Sequence, residues 1–246
     1  MTTDRRSNVG CQEQITAARL LDLRSFYESL DLLSKRIGGP RKLGECSRST
    51  GWPDYGVYFF FEDGENRRNS GQGPRVVRVG THAIKATSQN MLWDRLSNHR
   101  GQVRGPGGNH WNSIFRHHVG DALIEKYQLR STCPTWGGER RDAALEREVE
   151  EMVSKTIRAM PFVWLEVGDN VGGSHTRDYV ERNAIALLSN FNRPTLDPPS
   201  AHWLGALCKS SDKVKPSGLW NDTLVIHSNY DQKFIDRFYD LVKRSA

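Results

Sequence analysis

The sequence predicts an α/β fold with a small antiparallel or mixed three-stranded sheet flanked by helices. Two segments of strand character, residues 54–62 and 75–81, lie on either side of a polar, glycine-rich stretch at residues 63–74. That arrangement is typical of an antiparallel hairpin. A third segment of strand character, residues 162–167, comes after a run of helix-like segments. Because strands and helices do not alternate regularly, the pattern disfavours a doubly wound sheet.

The first element predicted along the chain is helical. Residues 1–12 are polar, and we expect them to be disordered. Apolar residues then recur at helical spacing from Glu13 to Arg36, and Gly38-Gly39-Pro40 ends the pattern. We expect one or two helices here that pack on the main domain.

This pattern divides the chain into two predicted parts. The first is an N-terminal helical extension over residues 1–45, and the second is a main domain over residues 46–246. The main domain is expected to carry inserts between residues 100 and 160 and a C-terminal elaboration over residues 191–246.

The hairpin places its side chains on two faces. In the first strand Val57, Phe59 and Phe61 point to one face, and Tyr58 and Phe60 point to the other. The β-branched valines of the return strand favour extended backbone.

The remaining helices are predicted from apolar spacing and helix-end signals. Ser88 is a candidate N-cap for the first of them, with Leu92 and Leu96 as its core contacts. The predicted ranges are 88–98, 114–127, 142–160, 177–188 and 232–243.

Charge and cysteine content narrow the class of protein. The chain has 246 residues, a formal net charge of +6 and a pI of about 9.2. A basic balance favours polyanion partners, because Lys and Arg displace counterions from phosphates, although a mildly basic soluble protein has the same balance. No two of the four cysteines form a C-x-x-C pair, which disfavours a zinc cluster and favours free thiols in a reducing compartment.

The sequence shows no membrane signal. Residues 1–10 have no apolar signal-peptide core, and no run of about 18 apolar residues occurs. We expect a cytoplasmic protein with no membrane partner.

Two tripeptides and three single residues, in order along the chain, carry a family resemblance. Gly56-Val57-Tyr58 is followed by Arg78-Val79-Gly80, then by Arg95-x3-His99 and, much later, by Glu181. Over about residues 54–192 this set resembles the GIY-YIG nucleases, with one departure: Arg78 stands where the second motif has a tyrosine. The resemblance implies a GIY-YIG-like fold and a DNA endonuclease that uses Mg²⁺ or Mn²⁺.

Three of the candidate site residues precede the insert. Tyr58 would act as a base or orient the attacking water, and a nearby cation or metal-bound water would lower the cost of removing its proton. Arg95 would clamp the phosphate with its planar fork, and His99, four residues later on the same helical face, would relay a proton. The structural alternatives are a packed strand tyrosine and two surface side chains.

Two more candidates follow the third strand. Glu181 is predicted to open a helix, where it gains from the helix dipole and would hold the metal as a hard oxygen ligand. The resemblance implies a supporting asparagine after this helix, and Asn190 is our choice, with Asn192 as a competitor. For Glu181 the alternative is a solvated glutamate at a helix start.

A histidine-rich segment lies in the insert. His110, His117 and His118 cluster near Arg116. No carboxylate or cysteine accompanies them at ligand spacing, so we expect loop residues or phosphate contacts rather than a metal site.

Three functional hypotheses follow. The first is a metal-dependent endonuclease that hydrolyses DNA phosphodiester bonds, of the restriction or defence type, with double-stranded DNA as its partner. The second is a catalytically weak or inactive nucleic-acid-binding protein that retains the fold, to which Arg78 lends weight. The third is an unrelated α/β protein with accidental motifs. A palindromic target would suit a homodimer, but the sequence leaves the oligomeric state, the target sequence and the DNA-versus-RNA preference open.

Overall fold

The computed structural model describes residues 3–82, 91–102, 107–167 and 174–245. Its helices are α1 (Thr3–Arg36), α2 (Leu92–Arg100), α3 (Ile114–Tyr127), α4 (Arg147–Ala159), α5 (Ser174–Leu188), α6 (Val214–Ser217) and α7 (Phe234–Arg244). Its strands are β1 (Arg41–Lys42), β2 (Gly56–Asn66), β3 (Pro74–Gly80) and β4 (Pro161–Glu166).

The sheet has four strands in the order β1-β4-β2-β3, and every neighbouring pair is antiparallel. The predicted hairpin of β2 and β3 is present, and β4 pairs with the other side of β2. The prediction of three strands was wrong, because β1 adds a short edge strand that pairs with Phe162 and Pro161. Strand β1 consists of two charged residues and has no alternation of apolar and polar side chains that would predict a strand. It is recognised as a strand only by its pairing with β4.

Helices cover both faces of the sheet. Tyr58 and Phe60 belong to an apolar core with residues of α2, α3 and α4, whereas Val57, Phe59 and Phe61 belong to a second core with residues of α1, α5 and α7. The predicted division of β2 into two faces is confirmed. Burial on both sides explains why β2 is an almost continuous run of large apolar residues.

The exposed edge of β3 is covered by a segment near the C-terminus. The Trp220 N–H donates to the Val77 carbonyl at 2.7 Å. The Asn221 side chain accepts from the Val79 N–H at 3.1 Å and donates to the Val79 carbonyl at 2.8 Å. These bonds satisfy backbone groups that an edge strand would otherwise leave open.

Helix positions agree with the sequence better than helix ends. Helix α3 spans the predicted residues 114–127, whereas α4 begins at Arg147 because residues 142–146 form a turn in which Asp142 accepts two backbone N–H groups. Helix α1 is a single helix from Thr3, so residues 3–12 are helical and not disordered. The predicted N-cap Ser88 lies outside the described residues, and the domain boundary after residue 45 stays a prediction.

Candidate active site

The glycines of both tripeptides are required by close approach. A Cβ at Gly80 would lie 2.3 Å from the Tyr58 Oη, because Tyr58 is the partner of Gly80 across the hairpin and its ring passes over this position. A Cβ at Gly56 would lie 2.7 Å from the Leu165 carbonyl oxygen of β4. Neither distance is compatible with a side chain. Gly80 therefore leaves room for the Tyr58 ring, and Gly56 allows the close approach of β2 and β4.

Tyr58 forms a hydrogen bond with His99. The Tyr58 Oη and the His99 Nε2 are 2.7 Å apart, and both side chains are fully buried. The rings meet edge to face, with centroids 5.5 Å apart. The structure therefore joins two residues that are 41 positions apart in sequence and that the sequence predicts for one site.

The other side of the His99 ring is held by the start of α3. The His99 Nδ1 lies 2.7 Å from the Oγ of Ser113, the N-cap residue of that helix. The Arg116 Nη1 donates to the His99 carbonyl at 2.8 Å. Burial lowers the pKa of His99 well below its ordinary value, and the guanidinium groups of Arg95, Arg78 and Arg116 lower it further. The imidazole is therefore neutral.

Arg116 is compensated by a buried carboxylate. Its Nε donates to the Glu150 Oε2 at 3.1 Å, and its Nη2 donates to the Ser154 Oγ at 2.9 Å. Glu150 also accepts from the backbone N–H of His110 at 2.6 Å. This pairing explains how a fully buried arginine is tolerated beneath His99.

Arg78 occupies the place of the missing motif tyrosine. It lies on the same face of the sheet as Tyr58, and its guanidinium stands over the Phe115 ring, 5.1 Å from the centroid. Its Nη1 donates to the Trp220 carbonyl at 2.7 Å. Burial lowers the pKa of Arg78, while the Tyr58 and Glu181 side chains act to raise it, so both are near this guanidinium.

Arg95 lies one turn before His99 on α2 and is half-buried. Its Nη1 donates to the Asn112 carbonyl at 3.1 Å. Arg95 perturbs the pKa values of His99, Arg78 and Glu181, which places its guanidinium within electrostatic range of all three. The half-buried Arg95 side chain therefore lies near the buried Tyr58–His99 pair.

Glu181 joins this group from the other layer of helices. It is half-buried, and burial raises the pKa of its carboxyl group, with opposing effects from Arg78, a hydrogen bond from the Thr81 backbone N–H, and Arg95. The prediction that Glu181 opens a helix was wrong, because α5 begins at Ser174. The helix dipole is therefore not what acts on this carboxylate.

The metal that the resemblance implies would have one carboxylate ligand here. Among the residues that the structure describes, no group of three or more His, Cys, Asp or Glu side chains is arranged to hold a metal ion. A single hard oxygen ligand fits Mg²⁺ or Mn²⁺ only when waters and a substrate phosphate complete the shell. Glu181 offers one such oxygen ligand.

Asn190 is not brought to this group. Its Oδ1 accepts from Arg19 at 3.1 Å, and its Nδ2 donates to the Asp197 carbonyl at 3.3 Å. Asn190 and Val76 line the same small cavity. Val76 is four residues from Gly80 along β3, which is roughly 13 Å of extended chain, so Asn190 lies far from the Tyr58 end of the strand. Asn192 is exposed. The described contacts of Asn190 fix the C-terminal segment.

The histidines between α2 and the middle of α3 make their contacts with other side chains inside the protein. His110 and His118 are buried, and His110 stacks on Trp136 with centroids 3.9 Å apart while its Nδ1 lies 3.0 Å from the Glu150 Oε1. His118 lies in α3, so the expectation of a loop residue was wrong for it, whereas His110 lies in a single turn, His110–Asn112, between α2 and α3. Sequence reasoning also missed Ser113, although a serine directly before the predicted helix at 114–127 is an N-cap signal.

A phenol, an imidazole, guanidinium groups and a carboxylate meet at the end of a hairpin. The fold and this group define an α/β protein with a cluster of polar side chains beside the β2–β3 hairpin. The family model described as the GIY-YIG domain matches residues 17–246, and the chain therefore belongs to the GIY-YIG family, whose members are generally endonucleases. No curated protein and no solved structure matches the chain. No helix among the described residues is long and apolar enough to cross a membrane.

Proposed function

We propose that this protein is a divalent-metal-dependent endonuclease that hydrolyses phosphodiester bonds in double-stranded DNA. The observation that carries the proposal is the meeting of Tyr58, His99, Arg95 and Glu181, which come from three separate elements, β2, α2 and α5. Family membership supplies the reaction class, and the formal charge of +6 suits a polyanionic substrate.

Each residue has a role in the proposed reaction. Arg95 binds two oxygens of the scissile phosphate and offsets the charge that grows on them. Tyr58 orients the attacking water or takes its proton. Glu181 would hold Mg²⁺ or Mn²⁺, which supplies charge neutralisation at the phosphate and the leaving oxygen. His99 stays neutral, because it is fully buried and because an added proton would also face three guanidinium groups.

The biological setting is part of the proposal. A compact GIY-YIG chain with inserts in its core resembles a restriction or defence nuclease more than a repair subunit. We propose that role, and with it a homodimer only if the target proves to be palindromic.

The second candidate is a DNA-binding protein that keeps the fold without cleaving. Two observations favour it. Arg78 stands in place of the motif tyrosine, and the Tyr58 hydroxyl is fully buried and so closed to bulk water.

One experiment separates the two candidates. Purified protein is incubated with supercoiled plasmid and Mg²⁺, and Glu181→Ala is compared with Glu151→Ala, a change at an exposed glutamate of α4. The endonuclease proposal predicts nicked or linear plasmid for the wild type and Glu151→Ala, and none for Glu181→Ala. The second candidate would instead be supported if the wild type binds DNA in a salt-dependent way and does not cleave it, whichever divalent ion is added.

A further inference from the structure

Trp111 is a large aromatic side chain that the fold leaves on the surface. All seven tryptophans lie within the described residues, and six of them are buried or half-buried, whereas Trp111 is 50% exposed. An indole left in water forgoes a large gain from burial. Aromatic side chains are enriched at the surfaces with which proteins bind their partners.

The turn that presents Trp111 is fixed on both sides. The backbone N–H of Trp111 donates to the Asn109 side chain at 3.1 Å. Before it, the buried His110 is held by Glu150, which accepts from the His110 backbone N–H at 2.6 Å. After it, the Ser113 N–H donates to the His110 carbonyl at 3.0 Å, and Ser113 caps α3. A ring on so fixed a backbone loses little conformational freedom when it binds a ligand.

The same turn contacts Arg95. The Arg95 Nη1 donates to the Asn112 carbonyl at 3.1 Å. Trp111 directly precedes Asn112, so their two Cα atoms are about 3.8 Å apart. Met91, one turn before Arg95, and Ile114, at the start of α3, are also exposed. Exposed apolar side chains therefore come from both segments that this hydrogen bond joins.

A nucleic acid accounts for apolar side chains beside an arginine. In the proposed reaction Arg95 binds the scissile phosphate, and each phosphate in a strand joins two nucleosides whose bases have flat faces. Such faces stack on aromatic side chains, and apolar side chains also open the steps between stacked bases. An unmodified protein partner would bring no phosphate to Arg95, and a formal charge of +6 favours a polyanion.

We propose that Trp111 is a DNA-contacting residue that stacks on a base next to the phosphate held by Arg95 and so positions the scissile bond. This inference rests on the proposed function for the identity of the ligand. In duplex DNA the contact requires the base step beside the scissile phosphate to open, as it does for apolar wedges in other DNA-binding proteins. Every base has a face that stacks, so Trp111 contributes to affinity and positioning and not to the choice of target sequence.

Binding to a fluorescein-labelled duplex of random sequence tests the contact. Anisotropy is measured at low salt without divalent ions, so that no DNA is cut. Trp111→Ala should raise the Kd about 5- to 150-fold, whereas Trp111→Phe keeps an aromatic ring and should raise it less. Tyr239→Ala removes an exposed aromatic ring of α7 and should leave the Kd unchanged. Equal Kd values for Trp111→Ala and Tyr239→Ala, or no binding by the wild type, would overturn the inference.

The salt dependence of binding separates stacking from charge. A stacked ring displaces no counterions from the DNA, so Trp111→Ala should weaken binding by the same factor at low and at high salt. Arg95→Ala should instead reduce the magnitude of the slope of log affinity against log salt concentration by about one. A reduced slope for Trp111→Ala would mean that this variant loses the arginine contact, and it would overturn the stacking role.

The proposed function is tested separately, by plasmid nicking with Mg²⁺. Trp111-dependent binding by a wild type that nicks no plasmid would support this inference and refute the nuclease. Nicking by the wild type, together with a wild-type Kd for Trp111→Ala, would refute this inference and support the nuclease. A wild-type dimer that Trp111→Ala dissociates, with unchanged DNA affinity, would assign the exposed ring to self-association and overturn the inference.

Discussion

Replacing Gly80 by alanine tests whether the second tripeptide positions Tyr58. The new Cβ would lie 2.3 Å from the Tyr58 Oη and 2.4 Å from its Cζ, so the ring must move by about an ångström to reach normal contact. The same movement stretches the 2.7 Å hydrogen bond to His99. Overpacking and a buried unsatisfied group together cost about 2–5 kcal/mol.

Two measurements follow from that displacement. For a chain of this size, a decrease of about 2–5 kcal/mol in the free energy of unfolding lowers the melting temperature by about 5–15 °C. Displacing a reacting group by an ångström reduces the rate about 100-fold, measured as Mg²⁺-dependent plasmid nicking per folded molecule. Circular dichroism gives the folded fraction at the assay temperature.

A matched control separates displacement from general destabilisation. Leu33 is buried on α1 in the opposite core, and Leu33→Ala should cost about 2–5 kcal/mol through a cavity. Its folded fraction should nick plasmid at the wild-type rate. If Gly80→Ala keeps both the stability and the activity of the wild type, the proposed constraint on Tyr58 is wrong.

Three further predictions concern buried polar groups. Tyr58→Phe removes the hydroxyl and should reduce nicking by about 100-fold or more, with wild-type nicking as the contradicting result. Glu150→Ala leaves Arg116 buried without its carboxylate and should lower the free energy of unfolding by about 3–5 kcal/mol in urea titrations, whereas exposed Glu151→Ala should not. Burial lowers the pKa values of His82 and His118 to about 4 and that of His99 well below its ordinary value. The unfolded chain then binds more protons than the folded one below about pH 6.5, so stability should fall as the pH drops from about 7.5 to about 5. Equal or greater stability at the lower pH would contradict this.

The elements that depend on local sequence patterns could be predicted. Alternation in β2 separated Tyr58 from Val57, and the order of strands and helices identified the hairpin and β4. Strand β1 could not be predicted, because its two charged residues show no apolar and polar alternation. The helix predicted over residues 177–188 begins three residues earlier, at Ser174, because the polar residues at its start carry no apolar periodicity.

Only those site residues that belong to the family motif could be predicted from the sequence. The order of Tyr58, Arg95, His99 and Glu181 gave the central group, whereas Asn190 was placed by an analogy that its contacts do not match. The support beneath His99 depends on the pairing of Arg116 with Glu150, which are 34 residues apart. Such long-range pairs leave no periodic trace in one sequence.

The central claim is that Arg95 and its neighbours surround one scissile phosphate, and a pair of arginine variants tests it most directly. Arg95→Ala is compared with Arg48→Ala, whose exposed side chain pairs with Asp94 on the same helix. We predict that Arg95→Ala lowers the rate of Mg²⁺-dependent nicking of supercoiled plasmid by about 100-fold or more, while Arg48→Ala leaves it unchanged. Equal rates for the two variants would contradict the site described for this protein.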